Sequence, residues 1–330
     1  LITSTNGTLA MIDTTPDKTA VEVNEKNPDS TIDKTVQEDS TGNYGDKNDA
    51  DIGQTVNFKV EIKVQKGAKN YVMHDVMSAG LTPNYDISIA GLTEDVDYTV
   101  VKNTTDDCTF EIKFEQDYLD KITAETTLTV TYSAVLNDKA VAGTPETNKA
   151  KLTWGDNGTT TWDETKTYTW NLNVLKYGDN DKSKVLKDAE FVLLNKDKSK
   201  VATIVGGKIT GWVAVPATGE AWPDNTVLVT GEDGTIAIAG LDSDTYYLRE
   251  IKAPAGYNVL ANDVEVVIAA TEGADKTLTY KPVTAEVNNQ SGTELPSTGG
   301  MGTTIFYVLG GVLMAGAFVL LVVRKRMRTE

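Results

Sequence analysis

Between residues 31 and 290, apolar and polar residues alternate with a period of two. Val56, Phe58, Val60, Ile62 and Val64 share one phase; Cys108, Phe110, Ile112 and Phe114 form a second such run, and Leu128, Val130, Tyr132 and Ala134 a third. Alternation of this length predicts strands with one buried face. Further runs fall at 170–176, 189–193, 227–229, 235–238, 246–251 and 264–268, with Asp233-Gly234 as a turn between two of them. Helical periodicity is weak, and 117–122 (DYLDKI) is expected to form a single helical turn. Two blocks of about 120 residues, each with many short strands, predict an all-β chain of tandem Ig-like β-sandwiches, one over 30–167 and one over 168–290. The pattern then changes. Residues 303–323 are 21 positions without a charge, the length of one hydrophobic bilayer-spanning helix, and Arg324, Lys325, Arg326 and Arg328 follow at once. Basic residues there place the tail inside and the body outside.

Six polar residues stand in the buried phase. Lys34 lies between Ile32 and Val36, Asp75 shares its phase with Tyr71, Met73 and Met77, and Asn148 shares its phase with Ala150, Leu152 and Trp154. In the second block Lys176 follows Trp170, Leu172 and Val174, Glu250 follows Tyr246 and Leu248, and Asn289 follows Val283, Ala285 and Val287. Each block thus has an inward lysine near its start, an inward asparagine near its end and an inward carboxyl between. Such groups are costly to bury unless paired or neutralised. Two arrangements meet that condition. One is a buried salt bridge with an amide partner. The other is an intramolecular isopeptide bond, in which desolvation leaves the lysine amine neutral and the carboxyl protonated, so that the amine attacks the asparagine carbonyl and ammonia leaves.

Composition narrows the function classes. The 330 residues carry a formal net charge of −17, which argues against nucleic acid and anionic membrane surfaces as partners. A single cysteine, Cys108, rules out an internal disulfide; its phase marks it as an inert core thiol. The single histidine, His74, reads as an ordinary surface residue, and zinc ligation or Cys–His and Ser–His–Asp catalysis is excluded unless His74 carries it. Asp179, Asn180 and Asp181, and the acidic run 46–51, lack EF-hand spacing and read as solvated turns. No metal, no cofactor and no enzymatic activity on an external substrate are expected. The chain opens on Leu1 without a basic and apolar leader, so 1–29 is read as the end of a missing N-terminal domain plus a linker.

Four stretches carry resemblances. Leu295-Pro296-Ser297-Thr298-Gly299 resembles the LPxTG sorting signal and stands before a hydrophobic stretch and a basic tail, so 291–330 looks like a complete sorting segment. The resemblance implies that a sortase cysteine attacks the Thr298 carbonyl, releases Gly299 onward and passes the acyl group to an amine. The second block is similar to the collagen-adhesin B-type domain. Val174-Leu175-Lys176 and the 186–191 segment (LKDAEF) resemble its opening, with Asp188 where glycine is usual, and Val287-Asn288-Asn289 fits its close. The 246–257 segment (YYLREIKAPAGY) resembles the pilin E-box YxLxETxAPxGY, departing at Ile251 where threonine is usual. Ile32-Asp33-Lys34, the 75–81 segment (DVMSAGL) and Thr147-Asn148-Lys149-Ala150 resemble the isopeptide-forming domain of Gram-positive fimbrial subunits. These resemblances favour the isopeptide reading, with Lys34–Asn148 served by Asp75 and Lys176–Asn289 served by Glu250.

The 21–27 segment (VEVNEKN) resembles the pilin motif of shaft subunits, with Asn24-Glu25 in place of its usual Tyr-Pro pair, and Lys26 stands where the acceptor amine is expected. The combined resemblance is to a Gram-positive LPxTG-anchored major pilin. It implies a structural shaft subunit of a sortase-assembled covalent pilus, supporting adhesion, with a sortase, neighbouring pilin subunits and peptidoglycan as partners. Export, wall anchoring and transient membrane retention through 303–323 follow from the same signal. The alternative is a singly wall-anchored or ancillary pilus adhesin, for which host surface ligands are the further partner class.

Overall fold

The computed structural model describes residues 2–3, 9–10, 30–102, 104, 106–273 and 277–292. Lys26, the pentapeptide 295–299 and the apolar stretch 303–323 lie outside the described residues.

In the first block, strand Thr55–Val64 alternates between buried and outward positions along its whole length, as the sequence period requires. It pairs with Thr31–Gln37 on one side and Thr126–Leu136 on the other, in a sheet completed by Tyr44–Gly45, Leu81–Pro83 and Ser88–Ile89. The facing sheet runs Tyr98–Lys102, Phe110–Phe114, Val72–Met77, Glu146–Trp154, Asp163–Tyr168 and Lys47–Asp49, with Gly158–Thr159 beside Glu146–Trp154. The helical turn expected at 117–122 is present as Gln116–Leu119.

The second block is a single sheet that curls on itself. Its order is Asp181–Val185, Trp170–Gly178, Thr235–Leu241, Lys208–Ala214, Lys200–Val205, Glu190–Leu194, Thr245–Lys252 and Val264–Val267, with Leu228–Val229 paired to Glu190–Leu194. The last strand, Val283–Asn289, lies parallel to the first, Trp170–Gly178, and sets Gly178 opposite Asn289.

The two blocks share a continuous apolar core through a short junction. The chain passes from Tyr168 at the end of one sheet to Trp170 at the start of the next. Here the acidic run 46–51 departs from the solvated turn that its charge suggests. Asp49 is buried, and its Oδ2 accepts hydrogen bonds from Trp170 Nε1 and Ser243 Oγ. Asp51 Oδ2 accepts from Trp212 Nε1 at 2.7 Å, and its Oδ1 accepts from the Asp242 backbone N–H at 2.8 Å. Donors from the second block thus satisfy carboxylates of the first, which is why the run can leave solvent. The Gly240 carbonyl, at a residue with φ 91°, accepts from the Ile52 N–H at 2.8 Å, and a Cβ on Gly240 would lie 2.6 Å from Ile52 Cδ1.

Two further residues depart from expectation. The strand predicted to start at Cys108 starts at Phe110, because Asp107 at φ 62° turns the chain just before it. Cys108 is buried, yet it stands outside the apolar core and beside His74. His74 is no ordinary surface residue: its side chain is 12% exposed and sits against Glu111 at 3.0 Å.

Candidate functional site

The structure brings all six inward polar residues into two clusters, one in each block. Lys34, Asp75, Asn148, Lys176, Glu250 and Asn289 are all buried, each at 5% exposure or less. No solvent reaches them to offset the cost of burial, so each must be satisfied by its neighbours.

In the second block Lys176 and Asn289 project from neighbouring parallel strands, two register positions apart. The Lys176 Nζ donates directly to Asn289 Oδ1. Glu250 approaches from the Thr245–Lys252 strand, which pairs Glu250 opposite Phe191. Its two oxygens accept from Asn289 Nδ2 at 2.9 and 3.0 Å, and its Oε1 lies 3.3 Å from Lys176 Nζ. The Leu260 backbone N–H donates to Glu250 Oε2 at 2.8 Å and fixes the carboxyl plane. Phe191 closes the apolar side, with Nζ 5.8 Å from its ring centroid. Burial lowers the Lys176 pKa, and the Glu250 charge only partly opposes it.

In the first block the three residues come from facing sheets. Lys34 projects from Thr31–Gln37, while Asp75 and Asn148 project from neighbouring strands of the opposite sheet. Lys34 Nζ donates to Asp75 Oδ2 at 2.9 Å. A fourth residue completes the cluster. The Tyr132 hydroxyl donates to Asp75 Oδ2, accepts from Lys34 Nζ, and accepts from Asn148 Nδ2 at 3.4 Å. Lys34 and Asn148 therefore meet through Tyr132. Phe58 stacks on Tyr132 at 5.5 Å and Phe110 meets it edge-on at 5.1 Å, so the walls are aromatic. Burial pushes the Lys34 amine down and the Asp75 carboxyl up, each partly opposed by the other's charge. Asp75 Oδ1 and Asn148 Oδ1 find no partner among the described residues. The Lys34 backbone N–H donates to Asp163 Oδ2 at 2.6 Å and holds the strand in place.

Sequence reasoning missed Tyr132 because a tyrosine in a buried phase reads as core. Its signal was the hydroxyl, which needs a partner wherever the ring is buried. Chemically, each cluster offers an amine depressed by burial, a side-chain amide carbonyl and a carboxyl that can carry a proton between them.

Three family models match consecutive parts of the chain. The Gram-positive pilin backbone subunit 2, Cna-B-like domain matches 52–158; the SpaA prealbumin-like fold domain matches 171–284; the LPXTG cell wall anchor motif matches 287–328. The Cna-B-like description thus falls on the first block, and the prealbumin-like one on the block whose motifs resemble the collagen-adhesin B-type domain. A fimbrial subunit type 1 of Actinomyces viscosus is 35% identical over 85 residues, which are 26% of this chain and 16% of that protein. The matched segment is therefore a small part of that relative.

Among solved structures, the group B streptococcus pilus 2b backbone protein aligns over 82% of this chain and 100% of its own, at 24% identity and TM-score 0.58. The full-length major pilin RrgB of Streptococcus pneumoniae aligns over 84% and 78%, at 17% identity and TM-score 0.60. BcpA, the major pilin subunit of Bacillus cereus, aligns over 80% and 71%, at 17% and 0.55. At these identities the likeness shows a shared fold of tandem β domains. Segments similar to a pilin-backbone domain, a prealbumin-like domain and a cell-wall anchor motif thus follow one another along the chain, in that order. The resemblance to Gram-positive LPxTG-anchored fimbrial subunits is borne out.

Proposed function

We propose that this chain is a shaft subunit of a sortase-assembled covalent pilus on a Gram-positive surface, and that each described domain is locked by a self-formed Lys–Asn isopeptide bond. The observation that carries the reading is the second cluster: a buried amine on an amide carbonyl, with a carboxyl bridging both. In each bond the neutral lysine nitrogen attacks the asparagine Cγ, the carboxyl gives its proton to the amide nitrogen, and that nitrogen leaves as ammonia. The proton released by the lysine nitrogen returns to the carboxyl, so the relay ends as it began. The roles are nucleophile for Lys34 and Lys176, electrophile for Asn148 and Asn289, and proton relay for Asp75 and Glu250. Tyr132 holds Asp75 and Asn148 in reach of one another.

The positions of the bonds suit a load-bearing filament. Tension entering the second domain at Trp170 runs along one strand to Lys176, crosses to Asn289 and leaves at Gln290. Residues 177–288 lie off that path. In the first domain the load enters near Lys34 and crosses to Asn148, which leaves 149–168 in series. Polymerisation follows from the termini: Thr298 is the acyl donor after sortase cleavage, 303–323 retains the precursor at the membrane until then, and Lys26 is the acceptor amine of the next subunit. Repetition of that head-to-tail contact builds an open filament, whose base is passed to peptidoglycan.

The test is the intact mass of the recombinant chain. It is expected to fall short of the sequence mass by two ammonia units, with Lys34→Ala and Lys176→Ala each restoring one. An unmodified mass would reduce both clusters to polar core contacts.

A further inference from the structure

The 330 residues include one histidine and one cysteine, and the fold sets them side by side. His74 lies on the outward face of strand Val72–Met77, directly opposite Glu111 in the neighbouring strand. Its Nδ1 is 3.0 Å from Glu111 Oε1, 3.4 Å from Asp106 Oδ2 and 3.7 Å from Cys108 Sγ. The left-handed Asp107 bends the chain so that Asp106 and Cys108 both face the imidazole, and Asp106 Oδ1 accepts the Cys108 backbone N–H at 3.4 Å. All four candidate ligand atoms lie within 4.8 Å of one another.

We propose that His74 Nδ1, Cys108 Sγ, Glu111 Oε1 and Asp106 Oδ2 form a binding site for one zinc-like divalent ion. A tetrahedral zinc with ordinary bond lengths needs edges of about 3.3 Å between nitrogen and oxygen and about 3.6 Å between nitrogen and sulfur. The three distances from Nδ1 lie close to those edges before any ion is added. The donor set is mixed sulfur, nitrogen and oxygen, which suits zinc and its neighbours and not calcium or magnesium. The imidazole is also oriented from behind. His74 Nε2 lies 3.0 Å from Thr153 Oγ1, which in turn lies 3.5 Å from the Val72 carbonyl. With the hydroxyl donating to that carbonyl, its oxygen accepts the Nε2 proton and leaves the Nδ1 lone pair aimed at the cluster. Metal-bound histidines are held by just this kind of outer partner.

On binding, the Cys108 thiol gives its proton to solvent, as does any proton shared between Nδ1 and Glu111. One thiolate, two carboxylates and a neutral imidazole then surround a doubly positive ion. Asp106 is exposed, so the ion enters from solvent without opening the domain. The site would tie the 106–109 turn to the back of the strand that carries Asp75, whose carbonyl already accepts the Thr109 N–H at 2.7 Å.

The experiment uses the full chain in detergent, stripped with a chelator and titrated with zinc alone or cobalt alone. One equivalent of zinc is expected to survive gel filtration and to protect Cys108 from alkylation. Cobalt is expected to give thiolate charge-transfer absorption and tetrahedral d–d bands. His74→Ala and Cys108→Ala each abolish the cobalt spectrum, and Thr153→Val weakens zinc binding by about 10- to 100-fold. The proposal is overturned if the unaltered protein retains no zinc, shows no thiolate band and alkylates at one rate with or without the ion. Retention of zinc by the His74→Ala, Cys108→Ala double variant overturns it equally, because the ion would then sit elsewhere.

Discussion

Replacing Glu250 with glutamine separates the cross-link from the packing around it. The side chain keeps its size and one acceptor oxygen, so no cavity forms, but an amide cannot relay the proton that the departing ammonia needs. Lys176 and Asn289 are 113 residues apart, and a cross-link closing a loop of that length restricts the unfolded chain by about 5 kcal/mol on the loop-entropy picture. Glu250 accepts from Asn289 Nδ2 on both oxygens and from the Leu260 N–H, and the amide loses part of this, adding about 1–3 kcal/mol. A domain of about 120 residues unfolds near 60 °C with an entropy of about 0.25 kcal/mol/K, so the second domain of Glu250→Gln is expected to melt roughly 20–30 °C lower. Intact mass and calorimetry on the same sample are the assay. If the variant still loses both ammonia units, Glu250 is not the relay. If one ammonia is retained while the melting temperature moves by less than about 5 °C, the bond does not constrain the fold as argued.

In the first domain, Tyr132→Phe removes the hydroxyl through which Lys34, Asp75 and Asn148 meet; the first cross-link should form more slowly in a mass time course, with about 1–3 kcal/mol lost before it forms. In unaltered protein caught early, peptide mapping should find the Lys176–Asn289 link ahead of Lys34–Asn148, because only the former has its amine on the amide carbonyl. At the junction, burial first, and then Asp49, Asp39 and Asp51, hold the Asp242 carboxyl well above its usual pKa. A carboxyl raised in the folded state contributes stability that is present below its unfolded pKa and lost as pH rises through the folded one. Melting temperature should therefore rise on mild acidification, and Asp242→Asn should raise it at neutral pH and flatten its pH slope. Pulled from its ends, the described body should extend by no more than the 149–168 stretch, about 70 Å, whereas Lys34→Ala should release several hundred ångströms from the first domain.

Much of this was legible in the alternation. Burying a charge breaks a period-two pattern in a way that burying a leucine cannot, so Lys34, Asp75 and Asn148 announced themselves in one block and Lys176, Glu250 and Asn289 in the other. What stayed hidden had physical reasons. Tyr132 keeps the pattern while carrying a polar tip. The run 46–51 looked solvated because its donors, Trp170, Trp212 and the Asp242 backbone, lie 121, 161 and 191 residues away. Cys108 is buried, as the phase of the neighbouring strand expects, but the turn at Asp107 just before it sets it beside His74 rather than in the apolar cluster, and phase gives no information about such neighbours.

On the proposed reading the two clusters run one chemistry from different geometries, and the difference bears on how each is held. In the second domain nucleophile and electrophile project from adjacent parallel strands, so the backbone pairing itself sets their approach and the carboxyl only has to reach across. In the first, the amine and the amide stand on opposite sheets, and their approach depends on how closely the sheets pack. A tyrosine between aromatic walls does there what strand register does in the other domain. In the unreacted first cluster the buried Asp75 Oδ1 and Asn148 Oδ1 have no hydrogen-bond partner among the described residues, a condition that costs free energy. Formation of the proposed neutral secondary amide would replace the buried amine, and the protonated Asp75 that the relay regenerates would be free to satisfy an oxygen. If the bond forms as proposed, the same burial that pushes the Lys34 amine down and the Asp75 carboxyl up favours the neutral product over the unreacted cluster.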